Sequence, residues 1–314
     1  MIQFGILGAG NIAHKFANAV AQTEGANLCA IASKSIERAQ KFAAEENILN
    51  AYGNYEDFFQ NPAIDVVYIA TTNNFHYQNI LDALNAGKHV ICEKPMTLTY
   101  KEAKEVTTLA TKKGLFLMEA MWTRFLPKSQ RVLEWVRSGA IGQIKLMQAT
   151  IGWVSDPKIN ARLYDFGLGG GSLYDLGVYP LDLLPYYTGQ NILSIQKLVH
   201  SHSTGVDDTV SLNIELDHSF ANIQCSFITK VSEDAFLYGD KGYIRIPKLH
   251  FGNKAELYDL NDALIDSFDE GAENGFLYQV EEVVRCIENG QTESSVCPLK
   301  MTLETAKWYD KILS

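Results

Sequence analysis

The stretch IQFGILGAGNIA, residues 2–13, decides the fold of the N-terminal half of the chain. It opens with the apolar run Ile2–Leu7 and continues, after two glycines, with the periodicity of an amphipathic helix. Gly8 permits a tight turn, Gly10 allows close approach of a pyrophosphate, and the small Ala13 allows the helix to pack closely on the strand. The pattern predicts a dinucleotide bound at the helix N-terminus, the alternative being a tight turn without a ligand. The predicted contacts are Gly8, Gly10, Asn11 and Ile12.

Short apolar runs alternate with helical periodicity up to about residue 120. Runs such as DVVYIA at 65–70 are apolar almost throughout, which is typical of strands buried on both faces of a parallel sheet. The predicted strands and helices lie, in chain order, at 2–7, 11–22, 27–32, 36–46, 65–70, 77–86, 89–93, 100–113 and 115–119. This alternation predicts an α/β Rossmann domain, NAD(P)-binding, over residues 1–122.

From residue 143 the pattern changes to longer segments in which apolar and polar residues alternate. Such segments, joined by short turns, predict a large and mainly antiparallel sheet with one open face. Further helices are predicted at 128–138, 172–187, 276–288 and 299–313. We therefore expect a C-terminal α+β domain over residues 123–314 for substrate binding and dimerisation, and the sequence leaves open whether the last helix returns to the first domain.

The open face of that sheet suggests a partner. Val199, Val210, Leu212 and Ile214 are apolar residues among polar neighbours in the predicted strands. Apolar residues on an open face are usually covered by another subunit. The sequence therefore predicts a homodimer through the C-terminal sheet.

The end of the second strand indicates which dinucleotide binds. In NAD enzymes an acidic residue at this point holds the ribose 2′-hydroxyl, but AIASKS at 30–35 contains no carboxylate. Ser33 donates hydrogen bonds, and Lys34 and Arg38 supply positive charge, which suits a 2′-phosphate. The sequence thus predicts NADP over NAD. The alternative is that Lys34 and Arg38 are ordinary solvated residues.

Small polar residues follow the apolar run that ends at residue 70, in the stretch TTNNFH at 71–76. Ligands of parallel sheets bind where strands end, so these residues can line the nicotinamide ribose. They can equally cap the next helix, since Asn74 is a good N-cap type. The predicted cofactor contacts here are Thr71, Thr72, Asn73 and His76, with His76 as a hydrogen-bonding rather than a catalytic group.

Bulk properties exclude several function classes. The net charge is −10 and the basic residues are scattered, which argues against nucleic acid or a membrane as partner. The five cysteines form no CxxC, and the seven histidines form no ligand-spaced cluster with them, so no metal site is predicted. No secretory signal and no membrane-length apolar run is present. We expect a cytoplasmic protein with reduced thiols.

The stretch HVICEKPMTL, residues 89–98, ends an apolar strand abruptly in Glu93-Lys94-Pro95. A lysine is rarely placed at a buried strand end without a partner. The carboxyl end of this strand is expected to face the nicotinamide, which puts Lys94 where hydride transfer occurs. Pro95 keeps Lys94 out of the helical region, and a cis Lys94–Pro95 bond fits such a turn.

Three motifs together resemble the glucose–fructose oxidoreductase, inositol dehydrogenase and rhizopine-catabolism family (Gfo/Idh/MocA). They are GAGNIA at 8–13, EKP at 93–95 and GGSLYDLGVY at 170–179. The resemblance covers the whole chain, including YGDKGYIRIP at 238–247. The stretch EAMWTRFLP at 119–127 is similar, more narrowly, to the branch that contains dimeric dihydrodiol dehydrogenases and NADP-dependent xylose dehydrogenases.

The resemblance implies roles for individual residues. Lys94 matches the active-site lysine of the E-K-P motif. Asp175 matches the acid of the family's D-x-x-x-H pair, and Tyr179 stands where the histidine is commoner, as in the dihydrodiol dehydrogenase branch. The catalytic residues are thus predicted to be Lys94, Asp175 and Tyr179. Further cofactor contacts implied in this way are Glu93, Lys94, Trp122 and Arg124.

The chemistry can also be argued from the residue types. Oxidising an alcohol by hydride transfer needs a base for the hydroxyl proton, and a free tyrosine, with a pKa of about 10, is a poor one at neutral pH. A nearby lysine cation stabilises tyrosinate and so lowers the pKa of the tyrosine. We therefore predict Tyr179 as the acid/base with Lys94 as its electrostatic partner. Packing is the alternative for Tyr179, Trp122 and Arg124.

Two functions from different classes fit these residues. The first is an NADP-dependent oxidoreductase that transfers hydride to or from a sugar, cyclic polyol or dihydrodiol. A polar segment at 156–165 is a candidate substrate loop, or else a solvated one. The second is a non-catalytic NADP-sensing regulator on the same fold. The sensor is disfavoured because it need not keep acid/base groups, whereas Lys94, Asp175 and Tyr179 are all present.

Overall fold

The computed structural model describes all residues, 1–314, as two compact units. The first unit comprises residues 1–122 and 272–306, and the second comprises residues 123–271 and 307–314. The strands are β1 Ile2–Leu7, β2 Ala26–Ala32, β3 Asn50–Tyr52, β4 Val66–Ile69, β5 His89–Cys92, β6 Leu117–Glu119, β7 Ile144–Gly152, β8 Ile192–Ser201, β9 Asp207–Leu216, β10 Phe220–Ser226, β11 Ala235–Gly239, β12 Gly242–Ile246, β13 Lys254–Asp259 and β14 Leu264–Asp269. The α-helices are α1 Asn11–Gln22, α2 Ile36–Glu46, α3 Tyr55–Gln60, α4 Asn73–Asn85, α5 Tyr100–Lys113, α6 Pro127–Arg137, α7 Val178–Thr188, α8 Phe276–Glu288 and α9 Leu299–Leu313.

The first unit is built on a six-stranded sheet in the order β3-β2-β1-β4-β5-β6, with every pair parallel. All four residues of β4 are buried, as expected for a strand covered on both faces. The helices that join the strands complete the doubly wound arrangement. The predicted Rossmann fold is confirmed. Strand β3 and helix α3 were not predicted, because their three and six residues are too short to show a clear period.

The predicted extent of the second domain, 123–314, needs correction because residues 272–306 belong to the first unit. Helix α8 has a strongly apolar face that packs on α1. At its start the Phe276 ring stacks on Trp122, with ring centroids 5.3 Å apart. Asn274 donates a hydrogen bond to the carbonyl of Lys15. An apolar helix face identifies burial but not the partner that covers it, which is why sequence periodicity assigned this helix to the wrong unit.

The second unit is built on an eight-stranded sheet in the order β14-β13-β12-β11-β7-β10-β9-β8. Its pairs are antiparallel except for β7 and β10, which run parallel. The predicted mainly antiparallel sheet is confirmed. Helices α6 and α7 pack on one face of this sheet, against β13 and against β7 and β10 respectively.

The two faces of that sheet differ from the prediction at β9. Val210, Leu212 and Ile214 were predicted to lie outward, but they are at most 2 % exposed and lie on the helix-covered face. Strand side chains alternate, so the open face of β9 carries their polar neighbours instead. Val199, on the edge strand β8, is partly exposed. The alternation of apolar and polar residues predicted the period of β9 correctly, but it does not indicate which face the helices cover.

Other side chains occupy the open face nearer the centre of the sheet. Phe236 and Tyr238 on β11, Tyr243 on β12 and Tyr258 on β13 form a row of half-buried aromatic rings. Successive ring centroids lie 5.7, 5.7 and 4.8 Å apart. We call these four residues the aromatic row.

No helix of the structure has both the length and the apolar character needed to span a membrane.

Candidate active site

Three loops lie together at the carboxyl end of the strands in the sheet of the first unit. Because β1, β4 and β5 are adjacent and parallel, their carboxyl ends meet, and the loops that follow them carry most of the predicted cofactor contacts. These loops begin at Gly8, Ala70 and Glu93. Ligands of open parallel sheets bind in this position. The topology thus brings together residues that are up to about 85 positions apart in the chain.

The glycine turn after β1 has the geometry that a bound pyrophosphate requires. Gly8 has φ +111°, and a Cβ there would lie 2.7 Å from the carbonyl oxygen of Ala70, so only glycine fits. Gly10 precedes α1, and no atom lies within 4 Å of the point where its Cβ would be. No side chain caps the helix N-terminus. The open space and the uncapped backbone N–H groups fit an anionic group, and the cofactor contacts of Gly8, Gly10, Asn11 and Ile12 stay predictions.

The loop after β2 forms a basic corner beside the same turn. Arg38 donates a hydrogen bond of 3.2 Å to the carbonyl of Ala9, and the Lys34 ammonium lies 3.7 Å from the centre of the Phe75 ring. Ser33 is buried and its hydroxyl accepts a bond from the N–H of Ser35. Lys34 and Arg38 are both exposed, but each also makes a contact with a neighbouring loop. The alternative that they are ordinary solvated residues therefore stays open.

The same corner contains a carboxylate that the sequence analysis overlooked. Glu37 accepts a hydrogen bond of 2.6 Å from the Ser35 hydroxyl, and this bond holds the pKa of Glu37 below its usual value. Its charge opposes a 2′-phosphate at Ser35. Glu37 is exposed and lies in the first turn of α2, so its side chain is free to turn into solvent when an anion binds.

The loop after β4 is held by a buried histidine. His76 is fully buried, with Nδ1 2.8 Å from the carbonyl oxygen of Pro95 and Nε2 3.0 Å from that of Thr71. A neutral imidazole has one N–H donor, so only the doubly protonated ring can donate to both carbonyls. His76 therefore ties the loop after β4 to the loop after β5, in agreement with its predicted hydrogen-bonding role. Helix α4 begins at Asn73, four residues before the predicted start.

Small polar side chains complete this loop. Asn79 donates a hydrogen bond of 3.0 Å to the Thr71 hydroxyl, and Thr72 donates one of 2.7 Å to Asn74. The N-cap of α4 is Thr72 rather than Asn74, and its side chain makes no cap bond. Asn73 is buried beside them. These contacts fix Thr71, Thr72 and Asn73 at the sheet edge where they were predicted.

The Glu93-Lys94-Pro95 turn is fixed by two residues that the sequence analysis did not identify. Tyr68, buried in β4, donates a hydrogen bond of 2.6 Å to Glu93. Glu119, buried at the end of β6, accepts bonds of 2.8 Å from the N–H of Met96 and from the Thr302 hydroxyl. The Lys94–Pro95 bond is cis, as predicted. Glu119 could have been recognised from the sequence, because an acid at the end of an apolar strand needs buried hydrogen-bonding partners.

The environment of this turn is strongly desolvated. Cys92 is fully buried, and burial, reinforced by the nearby charges of Glu93 and Glu119, raises the pKa of its thiol well above the ordinary value. Lys94 itself is half-buried. A cation here acts in a low-dielectric setting, in which its field on a neighbouring group is stronger than in water.

Trp122 and Arg124 differ in their surroundings. Trp122 is half-buried and stacks on Phe276 in the first unit, and it lies three residues after the end of β6. Arg124 belongs to the second unit, is 1 % exposed, and makes a two-pronged ion pair with Asp182 at 2.7 Å for each oxygen. That pairing favours the packing alternative for Arg124 over the predicted contact with the cofactor.

In the second unit the predicted catalytic helix starts from a buried carboxylate. Asp207, on β9, accepts hydrogen bonds of 2.7 Å from the Ser172 hydroxyl and from the N–H of Leu173. Burial raises the pKa of Asp207 above its usual value, and these bonds oppose that shift. Gly171 has φ +125°, and a Cβ there would lie 2.3 Å from an Asp207 oxygen. The glycines before Ser172 thus leave room for an acid that caps the helix.

The helix that follows is a π-helix over Leu173–Gly177 and then α-helical from Val178. Asp175 lies in the π-helical part and pairs with Arg162 at 3.5 Å. Tyr179 lies in the first turn of α7, is 7 % exposed, and packs on the His250 ring at a centroid distance of 5.2 Å. π-Helical segments are common at functional sites because they alter which side chains share a face. The predicted continuous helix therefore has two different geometries.

The candidate substrate loop is partly structural. Tyr164 is buried and donates a hydrogen bond of 2.9 Å to the carbonyl of Ser155, so it belongs to the core of the loop. Arg162, which pairs with Asp175, is the loop residue that reaches the predicted catalytic helix. No cluster of three or more His, Cys, Asp or Glu side chains is placed to hold a metal ion.

Two sequence profiles match the chain. The profile described as "Oxidoreductase family, NAD-binding Rossmann fold" matches residues 2–121, and the "GFO/IDH/MocA C-terminal domain" matches residues 129–245. The chain belongs to the Gfo/Idh/MocA oxidoreductase family. It is an NAD(P)-binding oxidoreductase, which confirms the predicted family and enzyme class.

Individual proteins extend this result. A trans-1,2-dihydrobenzene-1,2-diol dehydrogenase from Mus musculus is 33 % identical over 308 residues, covering 95 % of this chain and 92 % of that protein. An aldose–aldose oxidoreductase from Caulobacter crescentus, solved with glycerol, superposes with a TM-score of 0.89 at 25 % identity, covering 99 % and 96 % of the two chains. A 3-ketoreductase from Actinomadura kijaniata, solved with NADP and TDP-benzene, has the same fold, with a TM-score of 0.88 at 22 % identity and coverage of 99 % and 96 %.

Proposed function

We propose that this protein is an NADP-dependent dehydrogenase or reductase that acts on a hydroxyl or carbonyl group of a sugar, cyclic polyol or dihydrodiol. The observation that carries the proposal is that Lys94, which follows β5, and the open glycine turn, which follows β1, lie at the same carboxyl end of the parallel sheet in the first unit. A relative of 33 % identity named as a dihydrodiol dehydrogenase supports the substrate class.

In the proposed mechanism Tyr179 holds and moves the proton. When bound, the nicotinamide accepts hydride in oxidation and supplies it in reduction. In oxidation the Tyr179 phenolate removes the hydroxyl proton, and in reduction the Tyr179 phenol returns it to the carbonyl oxygen. The Lys94 ammonium stabilises the phenolate and hydrogen-bonds the substrate oxygen. Asp175, half-buried and paired with Arg162, orients the substrate.

A panel assay tests this function. The oxidation of NADPH, followed by its absorbance, is measured with aldoses, keto-sugars, inosones and aromatic diketones, and the reduction of NADP is measured with aldoses, inositols and dihydrodiols. The proposal predicts turnover with at least one member of these classes. Tight NADPH binding with no turnover across the panel would instead support the sensing regulator, which is the second function that the fold allows.

The preference for NADP should depend on Arg38. Replacing Arg38 by glutamine removes one of the two cations of the basic corner, so the Kd for NADPH should rise by about tenfold, while the Kd for NADH should change by less than about twofold. Fluorescence titration with each nucleotide measures both values, and Lys41→Gln, an exposed lysine of the same helix, is the control. Equal weakening of both nucleotides would contradict the proposed contact and point to a disturbed glycine turn, since Arg38 also bonds to Ala9.

We also propose a homodimer in which the open sheet face of the second unit is covered by a second copy. The aromatic row supports this proposal, because contiguous rings on an open face usually mark an interface. Sedimentation at micromolar concentration should give about twice the chain mass of 35.0 kDa. Tyr243→Lys in the aromatic row should shift the equilibrium to the monomer. A wild-type protein that sediments at the chain mass would contradict the dimer.

We also propose a cytoplasmic location. All five cysteines are buried as free thiols in their units. Buried, reduced cysteines of this kind are typical of proteins in reducing compartments. Fractionation of cells that express the tagged protein would test this assignment.

A further inference from the structure

The segment that follows β12 places a histidine against the predicted acid/base. His250 packs on the Tyr179 ring with centroids 5.2 Å apart and an angle of 34° between the ring planes. Trp153 and Phe251 also lie near the imidazole, at centroid distances of 6.2 and 4.5 Å. An ionisable ring is therefore enclosed by aromatic side chains, one of which is the group proposed to move the proton.

A carboxylate stands beside this histidine. Glu233 Oε2 lies 3.9 Å from His250 Nδ1, and the two side chains are 20 % and 14 % exposed. A carboxylate at this distance favours the imidazolium form. The other charged groups near this segment are Lys128, Lys248 and Asp234; Asp234 is paired with Arg245 and accepts a bond from the N–H of Lys248. Glu233 is thus the acid placed to compensate a charge on His250.

A buried lysine fixes the segment from the other side. Lys128, on α6, is fully buried, and its ammonium lies 3.5, 2.8 and 2.6 Å from the carbonyl oxygens of Pro247, Lys248 and Phe251. Three carbonyl acceptors match the three N–H donors of a charged lysine. Burial lowers the pKa of Lys128 to about 7, opposed by the nearby charge of Asp234. Lys128 therefore binds backbone carbonyls both before and after His250, which holds residues 247–251 in place.

We propose that His250, held against Tyr179 by Lys128, is a second ionisable group of the active site and that its charge sets the rate of proton transfer at Tyr179. The inference rests on the proposed role of Tyr179. In reduction the Tyr179 phenol gives its proton to the substrate oxygen and becomes phenolate. An imidazolium beside it stabilises that developing negative charge, and a neutral imidazole does not. Lys128 is a positioning residue, because it acts through the segment that carries His250.

The pH dependence of reduction tests the inference. In the wild-type enzyme, kcat for reduction should fall about threefold to tenfold as pH rises through the range near 6.5 in which histidine ordinarily loses its proton. His250→Gln should remove this step. The control is His200→Gln, which removes an exposed histidine that is also paired with a carboxylate, Asp208, at 2.7 Å. The control should keep the step.

NMR titration of the imidazole provides a readout that does not depend on activity. The His250 resonance is assigned by its loss in His250→Gln, and its midpoint should fall by about one pH unit in Glu233→Gln, because the compensating carboxylate is gone. Lys128→Met keeps an unbranched side chain that is one heavy atom shorter, and it removes the charge. In that variant the wild-type step in the rate profile should be lost, with a changed His250 titration, while the His200 titration stays unchanged.

The outcomes separate this inference from the proposed function. Near-normal turnover in Tyr179→Phe would overturn the function and the inference together. An inactive Tyr179→Phe, combined with superimposable pH profiles for wild type and His250→Gln, would overturn the inference alone. If His250→Gln does not fold, Glu233→Gln decides: an unshifted His250 midpoint and an unchanged rate profile would contradict the coupling.

Discussion

Replacing Tyr179 by phenylalanine should lower kcat by about 10²- to 10⁴-fold, the range typical of losing a general acid or base. The substitution removes one oxygen from a side chain that is 7 % exposed and packs on His250, so the ring contacts and the helix should survive. The Kd for NADPH should change little, because the proposed cofactor contacts lie in the first unit. Steady-state kinetics with the best substrate of the panel, together with NADPH titration, measures both quantities.

A matched control is available on the same helix. Tyr186 also lies on α7, and its hydroxyl donates a hydrogen bond of 3.0 Å to the carbonyl of Arg124. Tyr186→Phe removes the same atom from the same residue type without touching the proposed chemistry. Its kcat should stay within about threefold of wild type. If Tyr179→Phe and Tyr186→Phe behaved alike, Tyr179 would be a packing residue and the acid/base would have to be found elsewhere.

Local sequence patterns predicted the parts of the site that depend on backbone geometry. Gly8 is required by a left-handed φ and by contact with Ala70, and Pro95 restricts the turn that contains Lys94. Both constraints act within a few residues, so they leave a signature that can be recognised in one sequence. For the same reason the alternation of apolar runs and helices predicted the parallel sheet, but it did not predict the strand order.

The groups that fix the predicted residues could not be found in this way. Glu119 reaches Met96 and Thr302, Asp207 reaches Ser172, and His250 reaches Tyr179 across 23 to 183 positions of the chain. Nothing in the spacing of such residues marks them as partners. A buried charge signals only that some partner exists, because an unpaired one would be too costly. Their identification requires the tertiary structure.

Arg124 is a residue of a recognised motif whose buried partner the sequence did not reveal. The stretch that contains it suggested a cofactor contact by resemblance, and packing was the alternative. The structure gives its guanidinium two hydrogen bonds of 2.7 Å to Asp182, and its Cζ atom lies 4.7 Å from the centroid of the Tyr186 ring. Both charged side chains are at most 2 % exposed. Because each of these buried charges is compensated by the other, removing one of them should destabilise the fold.

Replacing Arg124 by methionine should destabilise the protein by about 3–5 kcal/mol, because Asp182 would remain as a buried and unpaired carboxylate. Chemical denaturation followed by circular dichroism measures the free energy of unfolding. The control is Arg131→Met, which removes an arginine that pairs with Glu134 and Asp266, all three side chains being more than a third exposed. Pairs of this kind contribute less than about 1 kcal/mol, so the control should remain near wild type.

A second variant separates the ion pair from the cofactor. Arg124→Met combined with Asp182→Leu removes both charges, and replacing a buried pair by apolar side chains of similar size is often neutral. The double variant should therefore recover most of the lost stability. If it is folded and binds NADPH with a wild-type Kd, Arg124 is structural. If Arg124→Met alone were as stable as wild type but bound NADPH more than about tenfold more weakly, the packing role would be wrong and the predicted cofactor contact would stand.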